Sequence, residues 1–346
     1  MTLKEAYAPF FKIGTSASIF NMGSDKAKEE LKKHYSSMTA ENDMKPMYLL
    51  DEKACTENPE KYNTQPALCF DRVRKYLDFA KESGIALRGH TLVWHGQTPF
   101  WFFKEGYSKE MESPLVDRET MLARMEWFIK GVLEFYQTEY PGVIYAWDVV
   151  NEAIEENEED GWRKSLWFKT IGDDFVLQAF RFARKYAAKG VSLFYNDYNT
   201  FMPKKREAIL KNILEPLMAE KLIDGMGMQS HLIIHDSNMK DYEESLHCFG
   251  ALGLEVQATE IDIHNNDNSE ERNKELADAY AELFGMYVKA KKEGKANITS
   301  VTLWGMKDDE SWLSGFRKER SYPLLFDDNW NEKEAYHAVI KVAEDN

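Results

Sequence analysis

Cysteine is nearly absent. Cys55, Cys69 and Cys248 are the only three among 346 residues, an odd count without CxxC spacing, so neither a structural zinc site nor a disulfide framework is expected. Such usage suits a reducing cytosol; in an exported chain, Cys55 and Cys69 could bridge a single loop. No run approaches the roughly 18 apolar residues that a membrane helix needs. The amino terminus, MTLKEAYAPFF, mixes acid and base and lacks the apolar core of a secretory signal. The expected location is cytoplasmic, or secreted if a leader has been removed. Positive charge is in deficit: 44 Lys and Arg against 59 Asp and Glu leave a net charge of -15. That balance works against nucleic acid and against an anionic membrane surface, both of which reward clustered Lys and Arg. Neutral or small partners remain, and the oligomeric state is left open. No Gly-rich phosphate loop occurs, so no nucleotide or phosphate cofactor is expected. His90 with His95 and His231 with His235 could be read as metal pairs, but neither has the HExxH context of a zinc helix, and no metal is expected.

What the sequence does have is alternation. Short β-branched and aromatic runs alternate with longer amphipathic stretches, the pattern of repeated βα units. Eight strands are predicted: Lys12 to Ser16, Ser37 to Glu41, Ala86 to Val93, Ile144 to Val150, Ser192 to Asn196, Met226 to Ser230, Val256 to Ile261 and Val301 to Gly305. Between them, Val73, Tyr76, Leu77 and Ala80 share one helix face that stops at Gly84. Asp117 is placed to cap the helix through Met121, Met125, Phe128, Ile129 and Val132, and Pro203 fits the first turn of the helix holding Ile209, Leu210, Ile213 and Leu217. Trp127 and Trp147 are expected in the core. No Pro/Ser-rich linker, low-complexity tract or close repeat interrupts the series, so residues 1–346 are read as a single (β/α)8 TIM barrel, an α/β fold, with its site at the C-terminal ends of the strands. The polar segments Glu52 to Gln65, Glu155 to Asp160, His264 to Asn273 and Ser314 to Tyr322 all follow strands, and so belong to that rim.

The strands end in polar groups: Glu41 and Asn42, His90, Asn151 and Glu152, Asn196 and Asp197, Gln229 with His231, Glu260 with Asp262, and Trp304. A lone Glu at a strand end is usually just solvated, but so many at one barrel mouth define a site. Two carboxylates flanking one sugar linkage are what glycoside hydrolysis requires: one protonates the leaving oxygen while the other attacks or positions water. Glu152 and Glu260, from the fourth and seventh predicted strands, are the expected pair, with Asp197 and Asp262 as alternatives. Asp262 shares the side of Glu260 on its strand and is better suited to orienting it.

At these residues the sequence resembles the glycoside hydrolase family 10 xylanases. TAENDMK (Thr39 to Lys45), RGHTLVWHGQ (Arg88 to Gln97), WDVVNEA (Trp147 to Ala153), FYNDYN (Phe194 to Asn199), GMGMQSH (Gly225 to His231), ATEIDI (Ala258 to Ile263) and TLWGMKDDESW (Thr302 to Trp312) carry the likeness across most of the chain. It implies that Glu152 is the general acid/base and Glu260 the nucleophile of a retaining endo-1,4-β-xylanase, with His231 and Asp262 orienting Glu260 and Asn151 meeting the sugar 2-hydroxyl. It further implies a sugar-binding set of Glu41, Asn42, Lys45, His90, Trp94, Gln97 and Gln229, aromatic walls at Trp304 and Trp312, and Tyr198 bordering the leaving-group side. The substrate implied is xylan or xylo-oligosaccharide, with Gln97 and Trp312 crowding the hydroxymethyl group that distinguishes glucose from xylose. Without an export signal the chain is similar to intracellular members. The retaining mechanism sets an expected carboxyl separation of about 5 to 5.5 Å. Two departures stand out: the stretch CTENPEKYNTQPAL after the second strand, where members commonly carry a shorter Gly-containing run, and TEID, where Leu more often precedes Asp.

Overall fold

A computed structural model describes residues 1–346. Its strands are β1 (Lys12–Ala17), β2 (Ser37–Ala40), β3 (Ala86–Trp94), β4 (Ile144–Asn151), β5 (Ser192–Asp197), β6 (Gly225–Met228), β7 (His231–Ile233), β8 (Glu255–His264) and β9 (Asn297–Leu303). In the sheet they follow the order β6-β5-β4-β3-β2-β1-β9-β8-β7, with β6 also paired to β8. Since β6 and β7 are two pieces of one barrel strand, the fold is an eight-stranded parallel (β/α) barrel. Parallel neighbours need long crossovers, which the intervening helices supply.

Each predicted strand is present; most ends shift by a residue, β8 runs on to His264 past the expected Ile261, and two strands differ more. The strand expected over Met226 to Ser230 stops at Met228, because Ser230 takes a φ of 68°, a left-handed conformation that cannot continue a ladder. The Ser230 hydroxyl donates to the Met228 carbonyl at 2.9 Å and lies 2.6 Å from the Tyr242 hydroxyl, which holds the bend. The last strand begins at Asn297 rather than Val301 and ends at Leu303, short of Gly305 with its φ of 140°.

The chain resolves into two compact units. One comprises Met1–Thr39, Tyr198–Arg206 and Gly225–Asn346. In it β8 pairs in parallel with β6, β7 and β9, and β9 with β1. The helix Glu270–Lys292, capped by Ser269, buries Leu276, Tyr280, Leu283, Phe284 and Tyr287 along one stripe.

The other unit comprises Ala40–Asp197 and Glu207–Asp224. Here β4 runs between β3 and β5. Gly89 lies in register with Trp147, and a Cβ at Gly89 would come within 2.3 Å of the indole, so only glycine lets that ring fill the core. The helix Arg118–Glu139 starts on Asp117, which accepts the Thr120 N–H at 2.7 Å. Its buried face carries Met121, Met125, Phe128, Ile129 and Val132. Trp127 lies beside that face and is only half-buried, with the Lys130 ammonium 5.5 Å from its ring, so the expectation of a core residue fails there. Trp147 is in the core. Gly84 closes the helix Asp71–Ser83 in the left-handed conformation, and Pro203 opens the helix Pro203–Ile209.

The polar segment after β2, read from the sequence as irregular, contains two short helices, Glu52–Glu57 and Pro59–Tyr62. A fully buried Arg124 holds its end in place. Its guanidinium donates to the Asn63 carbonyl at 2.6 Å, to the Asn63 side-chain oxygen at 3.0 Å, and to the carbonyls of Phe102 and Lys104 at 2.6 and 3.1 Å. The Tyr107 ring covers its face at 4.0 Å. All three cysteines are free thiols. No helix is long and apolar enough to cross a membrane.

Candidate active site

Parallel register gathers the first group of candidates. Trp94 closes β3 opposite Asn151, and Asn151 closes β4 opposite Asn196 of β5. The next residue, Glu152, has a φ of 57°, sparsely populated for a side chain of that size. Its N–H is satisfied by the Asn196 carbonyl at 2.9 Å, and its own carbonyl accepts from Arg163 Nε at 3.0 Å. Thus the turn is pinned from both sides. The carboxylate then receives two donors: Trp94 Nε1 at 3.0 Å on Oε2 and Asn151 Nδ2 at 3.1 Å on Oε1. Asn196 Nδ2 donates to Asn151 Oδ1 at 2.9 Å. Behind these, the Ala153 N–H donates to the Tyr195 hydroxyl at 3.0 Å, and that hydroxyl donates to Asp197.

The same unit holds a polar cluster along β3 and the loop after β2. Asn42 Oδ1 accepts from Lys45 Nζ at 3.0 Å and Gln97 Nε2 at 3.3 Å, and the Lys45 ammonium stands 4.9 Å over the Trp94 ring. His90 Nδ1 lies 2.8 Å from Asp148 Oδ2, and Asp148 also takes both terminal nitrogens of Arg88. Because Arg88 and Asp148 are both buried, the pair satisfies charges that neither could carry alone, and it sets the tilt of the His90 ring. Glu41 is half-exposed just beyond β2.

A second constellation stands on β8. Glu260 and Asp262 are two residues apart, so both point to the same face, and both are buried. The bend at Ser230 restarts the neighbouring strand as β7, with His231 in register with Asp262. The His231 ring then reaches both carboxylates: Nδ1 is 2.9 Å from Asp262 Oδ1 and Nε2 is 3.2 Å from Glu260 Oε2. Burial opposes charge on this imidazole, but Asp262 and Glu260 outweigh it and push its pKa up to about 10. At neutral pH it is an imidazolium donating from both nitrogens. Trp312 Nε1 donates to Asp262 Oδ2 at 2.8 Å, and its ring meets His231 edge-on at 5.0 Å. The Glu260 N–H donates to the Gln229 carbonyl at 2.9 Å, tying the backbone of the expected residue Gln229 to that of Glu260.

Of the remaining candidates, Trp304 is buried, its backbone N–H donating to the Ile261 carbonyl at 2.8 Å. Tyr198 lies under the buried Lys205, whose ammonium is 3.7 Å from its ring. The sequence reading assigned no role to Arg88, Asp148, Arg163 or Tyr195. A signal for the first two was present: Arg and Asp at inward positions of otherwise apolar strands must find each other.

A parallel (β/α) barrel bearing one glutamate under indole and amide donors, and another braced by an imidazolium and a second carboxylate, has the kinds of group that the glycoside hydrolases use. The chain belongs to glycosyl hydrolase family 10, whose model matches residues 2–342. It is 55% identical over 343 residues to endo-1,4-beta-xylanase B of Butyrivibrio fibrisolvens, covering 99% of this chain and 53% of that protein. Among solved structures, it superposes with a TM-score of 0.84 on an endo-1,4-beta-xylanase from Caldicellulosiruptor owensensis, at 36% identity and covering 98% of this chain and 99% of that one. The CBM22-1 and GH10 modules of a Clostridium thermocellum endo-1,4-beta-D-xylanase, crystallised with xylohexaose, match with a TM-score of 0.89 at 34% identity, over 99% of this chain and 67% of theirs. The chain therefore spans about half the length of the curated relative quoted above.

Proposed function

We propose that the protein is an endo-1,4-β-xylanase that cleaves xylan or xylo-oligosaccharides with retention of configuration, Glu152 acting as acid/base and Glu260 as nucleophile. The reading is carried by one observation, the His231 bridge between Glu260 and Asp262. A cation held against Glu260 keeps that carboxylate ionised, as a nucleophile must be, and Asp262 and Trp312 fix the cation in turn.

In the first step a Glu260 oxygen bonds to the anomeric carbon. The bond to the glycosidic oxygen breaks, and that oxygen leaves with the proton of Glu152. In the second step water attacks the same carbon, Glu152 takes the water's proton, and the ester to Glu260 opens. Asn151 donates to the 2-hydroxyl, while Glu41, Asn42, Lys45, His90, Gln97 and Gln229 supply directional partners for the other hydroxyls. Trp94, Trp304 and Trp312 offer indole surface to the C–H faces of the sugars, and Tyr198 borders the leaving group. Gln97 and Trp312 crowd the position where glucose carries its hydroxymethyl group.

The test is the rate of cleavage of xylotetraose against cellotetraose, with products separated by chromatography. Fast release of xylobiose with little turnover of cellotetraose is expected. Preference for cellotetraose would replace the xylanase reading with a glucanase, and cleavage of neither would remove both.

A further inference from the structure

We infer that Asn196 is a positioning residue for catalysis, acting through Asn151; the inference rests on the function proposed above. Asn196 is completely buried on β5, in register with Asn151. It has two separable links to the acid/base. Its carbonyl accepts the Glu152 N–H at 2.9 Å, which any residue at this position would preserve. Its side chain does something only a donor can do: Nδ2 reaches Asn151 Oδ1 at 2.9 Å.

A primary amide has a donating end and an accepting end, and nothing intrinsic decides which way it faces. At Asn151 the choice matters, because one end lies 3.1 Å from Glu152 Oε1. With Nδ2 toward the carboxylate, Asn151 donates to it and to a hydroxyl at the reacting sugar. With Oδ1 there, two acceptors would face one another and the sugar would lose a donor. The Asn196 amide, by donating to Oδ1, removes the second arrangement. Through this bond the Asn196 side chain acts on the orientation of Asn151. The backbone of β4 and β5 holds the Cα positions of both residues in register, which leaves the amide flip as the remaining freedom.

The experiment is a double-mutant cycle on kcat/KM for xylotetraose with wild type, Asn151→Ala, Asn196→Ala and the pair. Asn196→Ala alone is expected to lose on the order of 10- to 100-fold, the range of coupling seen between members of one hydrogen-bonded network. In the Asn151→Ala background the same change should cost less than about twofold, because the group it orients is gone. Losses that multiply would overturn the inference, as would an Asn196→Ala enzyme as fast as wild type. A wild-type enzyme that leaves xylotetraose intact would overturn the proposed function, and this inference with it. Asn196→Leu covers the case in which the alanine variant unfolds: it keeps the shape and removes the donor without burying a charge. It should melt within a few degrees of wild type yet lose at least as much kcat/KM as Asn196→Ala, and retention of full rate would again refute the role.

Discussion

Two residues carry opposite protonation demands, and their substitutions separate them. Glu260→Ala should abolish turnover of every glycoside, whereas Glu152→Ala should preserve kcat/KM for an aryl glycoside whose leaving group needs no proton while losing that for xylotetraose. Equal losses on both substrates would show the roles to be misassigned. His231 sets an alkaline limit. Its pKa is raised from 6.5 to about 10, so its contribution to stability is fully present below about pH 6.5 and is lost as pH rises through 10. Activity should fall over the same alkaline range, because loss of the imidazolium removes the charge that braces Glu260; a pH–rate profile with no descending limb below about pH 10.5 would contradict this. The placing of Asn151 and Glu152 at the end of β4 was legible in the sequence, as was the shared face of Glu260 and Asp262, although these two lie within β8 rather than at its end. The Arg88–Asp148 pair showed in the sequence only as two charges in apolar strands, because partners 60 residues apart meet only once register is known, and the bond from the Tyr195 hydroxyl to Asp197, two residues on, left no mark at all.

At the level of elements, the strands were readable because each is an apolar run with polar residues near its end, and one helix stop and one helix start because Gly84 and Asp117 each have one favoured use. The break after Met228 was not, because a serine at positive φ leaves no mark in composition. Nor was the ordering of Glu52 to Gln65, whose polarity suggested a loose rim. Arg124 explains the order, and it can be tested. Arg124→Met should destabilise the protein by about 3 kcal/mol, since it strands buried carbonyls at Asn63, Phe102 and Lys104 without a donor. Chemical denaturation measures this, and a loss under about 1 kcal/mol would show that water replaces the guanidinium.

On the scale of the whole molecule, a net charge of -15 has a consequence that no single residue carries. A neutral xylo-oligosaccharide is indifferent to it, but a chain bearing uronate groups is repelled, and salt screens that repulsion within a Debye length of about 10 Å at 0.1 M. Raising ionic strength should therefore increase kcat/KM on a uronate-bearing chain and leave xylotetraose unchanged. A fall with salt would reveal a cationic patch at the groove. The barrel itself was legible from alternation alone, since eight apolar runs separated by amphipathic stretches have few other ways to bury themselves. The split of one strand into β6 and β7 bears on any attempt to rebuild the site. Grafting the TEID strand onto another barrel would transfer Glu260 and Asp262 but leave them without their cation, because His231 is delivered by a one-residue backbone defect in the adjoining strand. A designer would have to copy the irregularity along with the residues, and an idealised, unbroken strand would be the wrong scaffold.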